Sequence, residues 1–259
     1  MDAEIEKIAG RIADGGCNVV FSGAGISTES GIPDYRSQGG LWDRFEPIWF
    51  DDFMRSQKAR EAYWRQKTLF YEDLVKAEPN AAHKAVYALY ALGRLDRVIT
   101  QNIDGLHQLA GMPADRVIEL HGSNRRARCM SCGRQFPIAA VQARVARGER
   151  APQCRCGGYL KPDTISFGQA MPAAEVETAV ALARRCDVFL VVGSTLLVEP
   201  ASLLPRFAKQ AGAYLAIINL SETPCDRLCD VCIRVEAGEA LTRLVCSVRR
   251  RTAPDQRSR

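Results

Sequence analysis

Apolar residues fall along this chain in two alternating patterns. Short runs that are apolar at nearly every position, and rich in Val and Ile, occur at 18–21, 97–100, 117–120, 188–192, 214–219 and 231–235. Between them lie stretches whose apolar residues recur at three- and four-residue spacing, at 3–13, 82–92, 174–184, 202–210 and 239–248. A continuous apolar run suits a strand buried on both faces, and the amphipathic stretches supply the crossover helices. The pattern predicts an α/β fold built on a doubly wound parallel sheet.

Two segments break the alternation. Residues 38–80 hold Trp49, Trp64 and helical periodicity but no strand pattern, and are expected to be a helical insertion. Residues 124–162 carry paired cysteines and many arginines, and are expected to be a small separate module. The doubly wound core is then expected at 1–37, 81–123 and 163–250, with a basic tail at 251–259.

Composition narrows the class. The chain has 259 residues, 47% hydrophobic and 25% charged, as a folded globular protein does and a disordered one does not. No run approaches the roughly 18 apolar residues of a membrane span. The acidic opening MDAEIEKIAG does not resemble an export signal, so a cytoplasmic location away from any membrane is expected. The formal net charge is +5, but residues 249–259 hold five Arg and one Asp, so +4 of it lies in the tail. A nucleic-acid partner is therefore not expected. A monomer is compatible with these features.

Ten cysteines in a reducing compartment point to metal or thiol chemistry before disulfides. Cys129-x-x-Cys132-Gly and Cys154-x-Cys156-Gly are two close pairs with 21 residues between them. Four thiolates so arranged can surround a tetrahedral Zn²⁺, and they leave no coordination position for an activated water, so the zinc is expected to be structural. Cys225, Cys229 and Cys232 form a weaker group for which burial is expected over a second metal.

Candidate chemistry gathers at the carboxyl ends of the strands. Gly23-Ala24-Gly25-Ile26-Ser27 follows the first strand, where backbone N–H groups can face a phosphate. The spacing is not G-x-G-x-x-G, and an ordinary tight turn accounts for the same residues. Arg36, after Asp34 and Tyr35, offers a guanidinium for phosphate or ribose oxygens or a solvated surface charge. Gln101-Asn102-Ile103-Asp104 ends the second strand and suits either a carboxamide and a ribose or a helix cap. His121 ends the next strand, where an imidazole can serve as general base or as a packed core group. His83 and His107, at the starts of helical segments, suit capping or packing.

Taken together, these stretches resemble the sirtuin family of NAD-dependent protein deacylases, in its bacterial or mitochondrial-like form. The matching segments are GAGISTESGIPDYR at 23–36, PNAAH at 79–83, TQNIDGLH at 100–107, LHG at 120–122, the cysteine pairs, LKPDTISFGQ at 160–169, VVGSTLLVEPA at 191–201 and IIN at 217–219. The resemblance implies a Rossmann-like domain with NAD and an acyl-lysine meeting in a cleft beside the zinc module. It implies that Gly23, Ala24, Gly25, Ser27, Asp34, Tyr35 and Arg36 line the NAD pocket, and that Gln101, Asn102, Ile103 and Asp104 hold nicotinamide and its ribose. Gly193, Ser194, Thr195, Asn219 and Leu220 would meet the adenosine half. Phe167, Gly168 and Val198 would pair with the substrate peptide as an added strand. His121, with Asn102 and Asp104, would carry the chemistry.

The implied reaction transfers the acyl group from lysine to ADP-ribose, with free lysine, nicotinamide and O-acyl-ADP-ribose as products. His121 would deprotonate the ribose hydroxyls. Three departures stand out. Tyr35 occupies a position where Phe is commoner, and Gln169 one where Glu is commoner. Members that prefer anionic acyl groups carry Tyr-x-x-Arg in the insertion, whereas here Gln66 follows Tyr63-Trp64-Arg65. Protein ADP-ribosylation in the same pocket is one alternative, and a non-enzymatic zinc module that binds nucleic acid is another.

Overall fold

The computed structural model describes residues 1–33 and 46–253. In chain order its elements are α1 (Asp2–Asp14), β1 (Asn18–Ser22), α2 (Phe50–Arg55), α3 (Gln57–Lys76), α4 (Ala81–Ala91), β2 (Arg97–Thr100), α5 (Leu106–Leu109), β3 (Val117–Glu119), β4 (Gly122–Cys129) and β5 (Gln135–Pro137). There follow α6 (Ile138–Ala146), β6 (Leu160–Thr164), α7 (Ala173–Ala183), β7 (Val188–Val192), α8 (Leu204–Gln210), β8 (Tyr214–Ile218), β9 (Val231–Ile233) and α9 (Ala237–Thr252). The six apolar runs make one parallel sheet in the order β3-β2-β1-β7-β8-β9.

Alternation along each strand divides the core. Val20, Val98, Leu190 and Ile218 face α1, α4 and α9, where Ile8, Val86 and Leu244 are buried. Val19, Phe21, Ile99, Phe189 and Ile217 face α7 and α8, where Leu182 and Leu204 are buried. Phe21 and Phe189 stack at 5.9 Å between centroids. Each such side chain contributes about 1.5–3 kcal/mol by leaving water, which explains why the middle positions of β1, β2, β7 and β8 are apolar. The strand order reverses between β1 and its neighbours β2 and β7. That switch point opens a crevice at the carboxyl edge of the sheet.

The two interruptions join each other as well as the sheet. β4 pairs with both β5 and β6 in a small antiparallel sheet, and α6 covers it. This strand pair runs from Gly122 to Thr164, two residues beyond the expected 124–162 at each end. Trp64 of α3 lies wholly buried in the core of this module beside Ala127, Val141 and Leu160, and its Nε1–H donates to the Leu160 carbonyl at 3.0 Å. Helical insertion and cysteine module therefore share one core. Arg126 ties this unit to the large sheet, reaching Glu119 of β3 at 2.8 Å and Asp163 of β6 at 2.7 Å.

At the carboxyl terminus α9 continues to Thr252. Arg250 and Arg251 bind Glu6 of α1, so the start of the expected basic tail is helical and paired. None of the helices among the described residues is long and apolar enough to cross a membrane.

Candidate active site

A cavity of about 890 Å³ occupies the switch-point crevice and runs from the large sheet to the second module. Its floor is built where β1 and β7 separate. There the Gly25 N–H donates to the Gly193 carbonyl at 2.8 Å, and the Gly193 N–H donates to the Ile218 carbonyl at 2.9 Å. The glycines at this point are thus required by the approach of two backbones, besides any ligand. A Cβ on Gly193, whose φ is +61°, would stand 2.3 Å from the Ile26 nitrogen, and one on Gly23 would stand 2.8 Å from the Gly193 carbonyl oxygen. Gly193→Ala is expected to destabilise the fold by about 2–4 kcal/mol, because backbone atoms must move and a left-handed residue is strained as well. Urea unfolding of that variant measures it, and a loss below about 0.5 kcal/mol would remove the close approach from the account.

Gln101, Asn102, Ile103 and His121 form the wall over the sheet, with Gly23, Ala24, Gly193, Ser194, Thr195, Asn219 and Leu220 alongside. Phe167 and Gly168, both exposed, lie at the cavity's rim, and Val198 lines it as well. Ser27 and Asp104 stand behind the wall. The Ser27 hydroxyl donates to Asp104 Oδ2 at 2.7 Å and accepts from Asn102 Nδ2 at 3.1 Å, while Asp104 Oδ1 accepts the Leu106 N–H at 2.8 Å. Asn102 Nδ2 also donates to the Gly23 carbonyl at 3.0 Å. Both amide protons of Asn102 are thus engaged by the protein. Asp34, Tyr35 and Arg36 lie outside the described residues.

His121 accepts no ambiguity of tautomer. Its Nδ1 lies 2.9 Å from the Gln101 carbonyl oxygen, which can only accept, so Nδ1 carries the proton and Nε2 keeps its lone pair. Burial pushes its pKa below the ordinary histidine value, and the bond to Gln101 offsets part of that. Such a neutral imidazole is ready to take a proton.

His83 and His107 are packed out of the cavity, edge to face at 5.1 Å, with 0% and 1% exposure. Their burial agrees with a packing role, although each also enters the hydrogen-bond network beneath the wall. Burial lowers His83 to about 4, against the opposing pull of Asp104, and lowers His107 to about 3. In the unfolded chain both titrate near ~6.5, so between these values the unfolded state binds the extra protons. Stability is expected to be full above about pH 6.5 and to fall as pH drops toward 4, by ~1.4 kcal/mol per pH unit for each ring. Urea unfolding from pH 7.5 to 5 checks this; a flat profile would contradict it.

Several cavity residues come from outside the strand-end loops of the large sheet. Ile48, Tyr63, Gln66, Lys67, Thr164 and Ser166 form the end nearest the second module. Tyr63 is buried, with its hydroxyl 3.3 Å from Thr164 Oγ1. Burial alone would raise its pKa, but the ammonium groups of Lys67 and Lys161, with the Ser166 and Thr164 hydroxyls, bring it to about 7. Tyr63 and Gln66, singled out in the sequence as the Tyr-x-x-Arg position, thus do reach the cavity. Gln169 lines it too.

The four cysteines converge as their spacing predicts. Their sulfurs all lie within 4.8 Å of one another, and Gly158 is the only residue that fits beside them, since a Cβ there would meet Cys129 Sγ at 2.6 Å. The Cys132 N–H points at Cys129 Sγ from 3.5 Å. An all-thiolate set of this size with N–H donors suits Zn²⁺. No second group of this kind occurs among the described residues; Cys225 is buried, and Cys229 and Cys232 are half-buried.

Known proteins share this architecture. The sequence profile of the Sir2 family matches residues 23–200. The NAD-dependent protein deacetylase 1 of Bradyrhizobium diazoefficiens is 46% identical over 238 residues, 92% of this chain and 93% of its own length. A solved chain described under the mechanism and regulation of Sir2 enzymes superposes with a TM-score of 0.85 at 41% identity, covering 96% of this chain and 99% of that one. A Sir2 chain solved with a p53 peptide and NAD⁺ gives 0.83 at 32% identity, covering 92% and 95%. With a profile match across more than half its length and relatives similar from end to end, the chain belongs to the Sir2, or sirtuin, family.

Proposed function

We propose that the protein is an NAD-dependent protein-lysine deacylase, acting most readily on acetyl-lysine in the cytoplasm. The observation that carries this is His121: a neutral imidazole, fixed through Nδ1, in one cavity with both the glycine turn of the large domain and the Phe167–Gly168 rim. The overall reaction consumes NAD, acyl-lysine and one water and gives nicotinamide, lysine and O-acyl-ADP-ribose.

The backbone at Gly23, Ala24 and Gly25, with Asp34, Tyr35 and Arg36, would receive NAD, and Gly193, Ser194, Thr195, Asn219 and Leu220 its adenosine half. Gln101, Asn102 and Ile103 would hold the nicotinamide end. Asp104 and Ser27 act by fixing Asn102, whose Oδ1 is left for the ligand because both its amide protons are committed. Phe167, Gly168 and Val198 would bind the peptide as an added strand and lead its acyl-lysine inward. His121 Nε2 would then take a proton from a ribose hydroxyl, so that the freed oxygen can attack the acyl carbon. Closing two reactants into one cavity also keeps water from competing. Zn²⁺, when bound by Cys129, Cys132, Cys154 and Cys156, supplies structure to the second module; four protein ligands leave it no reactive position.

Mass spectrometry of an acetylated peptide incubated with protein and NAD tests the assignment. O-acetyl-ADP-ribose and free lysine are expected. ADP-ribose attached to protein, with the peptide still acetylated, would favour the transferase alternative.

A further inference from the structure

The candidate base His121 is joined to buried His107 by an unbroken line of hydrogen bonds through a single peptide group. The peptide between residues 101 and 102 is held at both ends: its carbonyl accepts His121 Nδ1–H at 2.9 Å, and its N–H donates to Thr100 Oγ1 at 3.0 Å. Thr100 Oγ1 also accepts the Ser22 hydroxyl at 2.8 Å, and Ser22 Oγ lies 2.8 Å from His107 Nε2.

The protons on this line have one consistent arrangement. Ser22 spends its only proton on Thr100, so toward His107 it can only accept, and His107 Nε2 must carry the hydrogen. His107 Nδ1 is buried with no partner, as a bare lone pair tolerates and an N–H does not. Burial holds the ring neutral, and the titratable groups facing it are His83 and, beyond it, Asp104. The donors of His107 and Ser22 therefore point toward Thr100 Oγ1, where they meet the peptide N–H donating from the other side.

We propose that His107 is a positioning residue for His121: its Nε2–H holds the Ser22 hydroxyl on Thr100 Oγ1, the same oxygen that accepts the 102 N–H, and so keeps the 101–102 peptide in the one orientation whose carbonyl fixes the tautomer of the imidazole in the cavity. A peptide whose N–H is well bonded is a better acceptor at its carbonyl, because bonds in series polarise one another. The carbonyl in turn holds Nδ1–H and favours the protonated ring that forms when Nε2 accepts a proton. His107 touches neither reactant. Its effect on turnover rests on the deacylase assignment, whereas its effect on the His121 ring does not.

The test compares His107→Phe, which keeps a ring but has no donor, with His107→Gln, whose amide nitrogen can take the place of Nε2. Ring ¹⁵N spectra of the free protein come first. The wild type should show His121 protonated at Nδ1 alone, and His107→Phe should shift that resonance or mix the tautomers, with His107→Gln close to wild type. In kinetics, His107→Phe should lower kcat about tenfold with KM for NAD changed less than about threefold, and move the acidic limb of the kcat profile to lower pH. His107→Gln should recover most of kcat. If His107→Phe proves unstable, Ser22→Ala breaks the same line and should show the same ring signature. Unchanged His121 spectra in both His107→Phe and Ser22→Ala would overturn the proposal, as would equal losses in Phe and Gln variants that track melting temperature alone. Absence of turnover in the wild type with the spectra as expected would instead reject the deacylase assignment.

Discussion

Replacing His121 with alanine is expected to lower kcat for deacylation by about 10²–10⁴-fold while a non-reacting NAD analogue still binds within about threefold. The asymmetry follows from the position of the ring. His121 stands in the cavity wall with Nδ1 committed to Gln101, so Nε2 is its one free proton acceptor. NAD would be held mainly by the backbone at Gly23–Gly25 and Gly193–Thr195 and by the Gln101–Ile103 wall, of which only the Gln101 carbonyl bonds the imidazole. Because burial lowers the pKa of His121, the acidic limb of the wild-type profile should lie below the ordinary histidine value. Isothermal titration of the analogue beside steady-state turnover separates the two effects. Near-full turnover in His121→Ala would remove the residue from the chemistry, and loss of analogue binding in step with kcat would make it a binding residue.

Removal of zinc should abolish activity without unfolding the large sheet. The cysteine sulfurs close a core that is small, with Trp64, Ala127, Ile138, Val141 and Leu160 as its main apolar members. In small domains metal binding supplies free energy of folding on the order of 10 kcal/mol, which a core of this size cannot replace. α3 donates Trp64 to that core and Tyr63 and Lys67 to the cavity, so loosening the module displaces the cavity wall. Chelation, or Cys154→Ala, is therefore expected to change the emission of Trp64 and to speed amide exchange across 122–164. Amides of β1 and β7, buried in the large sheet, should stay protected. Full activity after verified removal of the metal would contradict a structural role, and collapse of protection throughout the molecule would contradict the independence of the large sheet.

The large sheet was legible because burial on both faces leaves a pattern that local sequence can carry. Runs such as 188–192 are apolar at every position, and each became a strand with alternate residues on opposite faces. The strands of the second module left no such trace. β4 reads GSNRRARC, a polar string; Arg126 and Arg128 sit in it because Asp163 on the neighbouring strand accepts both. Lys161 is wholly buried with its ammonium on the Thr164 and Pro162 carbonyls, an environment that no hydropathy pattern announces. The cysteine spacing alone located that module. Contact between Trp64 and Leu160 spans 96 residues, so the shared core of the two interruptions was invisible to any local pattern.

The site divides in the same way. Cavity residues at the ends of strands, such as Gly23, Asn102, His121 and Gly193, stand where turn chemistry and parallel-sheet geometry predict. Asp104 and Ser27 belong to the same motifs, yet the structure places them behind the wall, where they fix Asn102. Of the two readings left open for Asp104, the structure shows the cap, through the Leu106 N–H, and Asp104 reaches the cavity wall only through Ser27. His83 and His107 pack, as expected of them, but the direction of their protons emerges only from partners brought together by the fold.

NAD cleavage and acyl transfer are expected to occur as one coupled event in this cavity. The most direct measurement of that coupling is nicotinamide release beside peptide deacylation, followed in parallel over a panel of acetyl-, succinyl- and long-acyl-lysine peptides. One nicotinamide is expected for each acyl group removed, with greatest turnover on the acetyl peptide and no nicotinamide release in the absence of peptide. Nicotinamide released without loss of the acyl group would contradict the coupling.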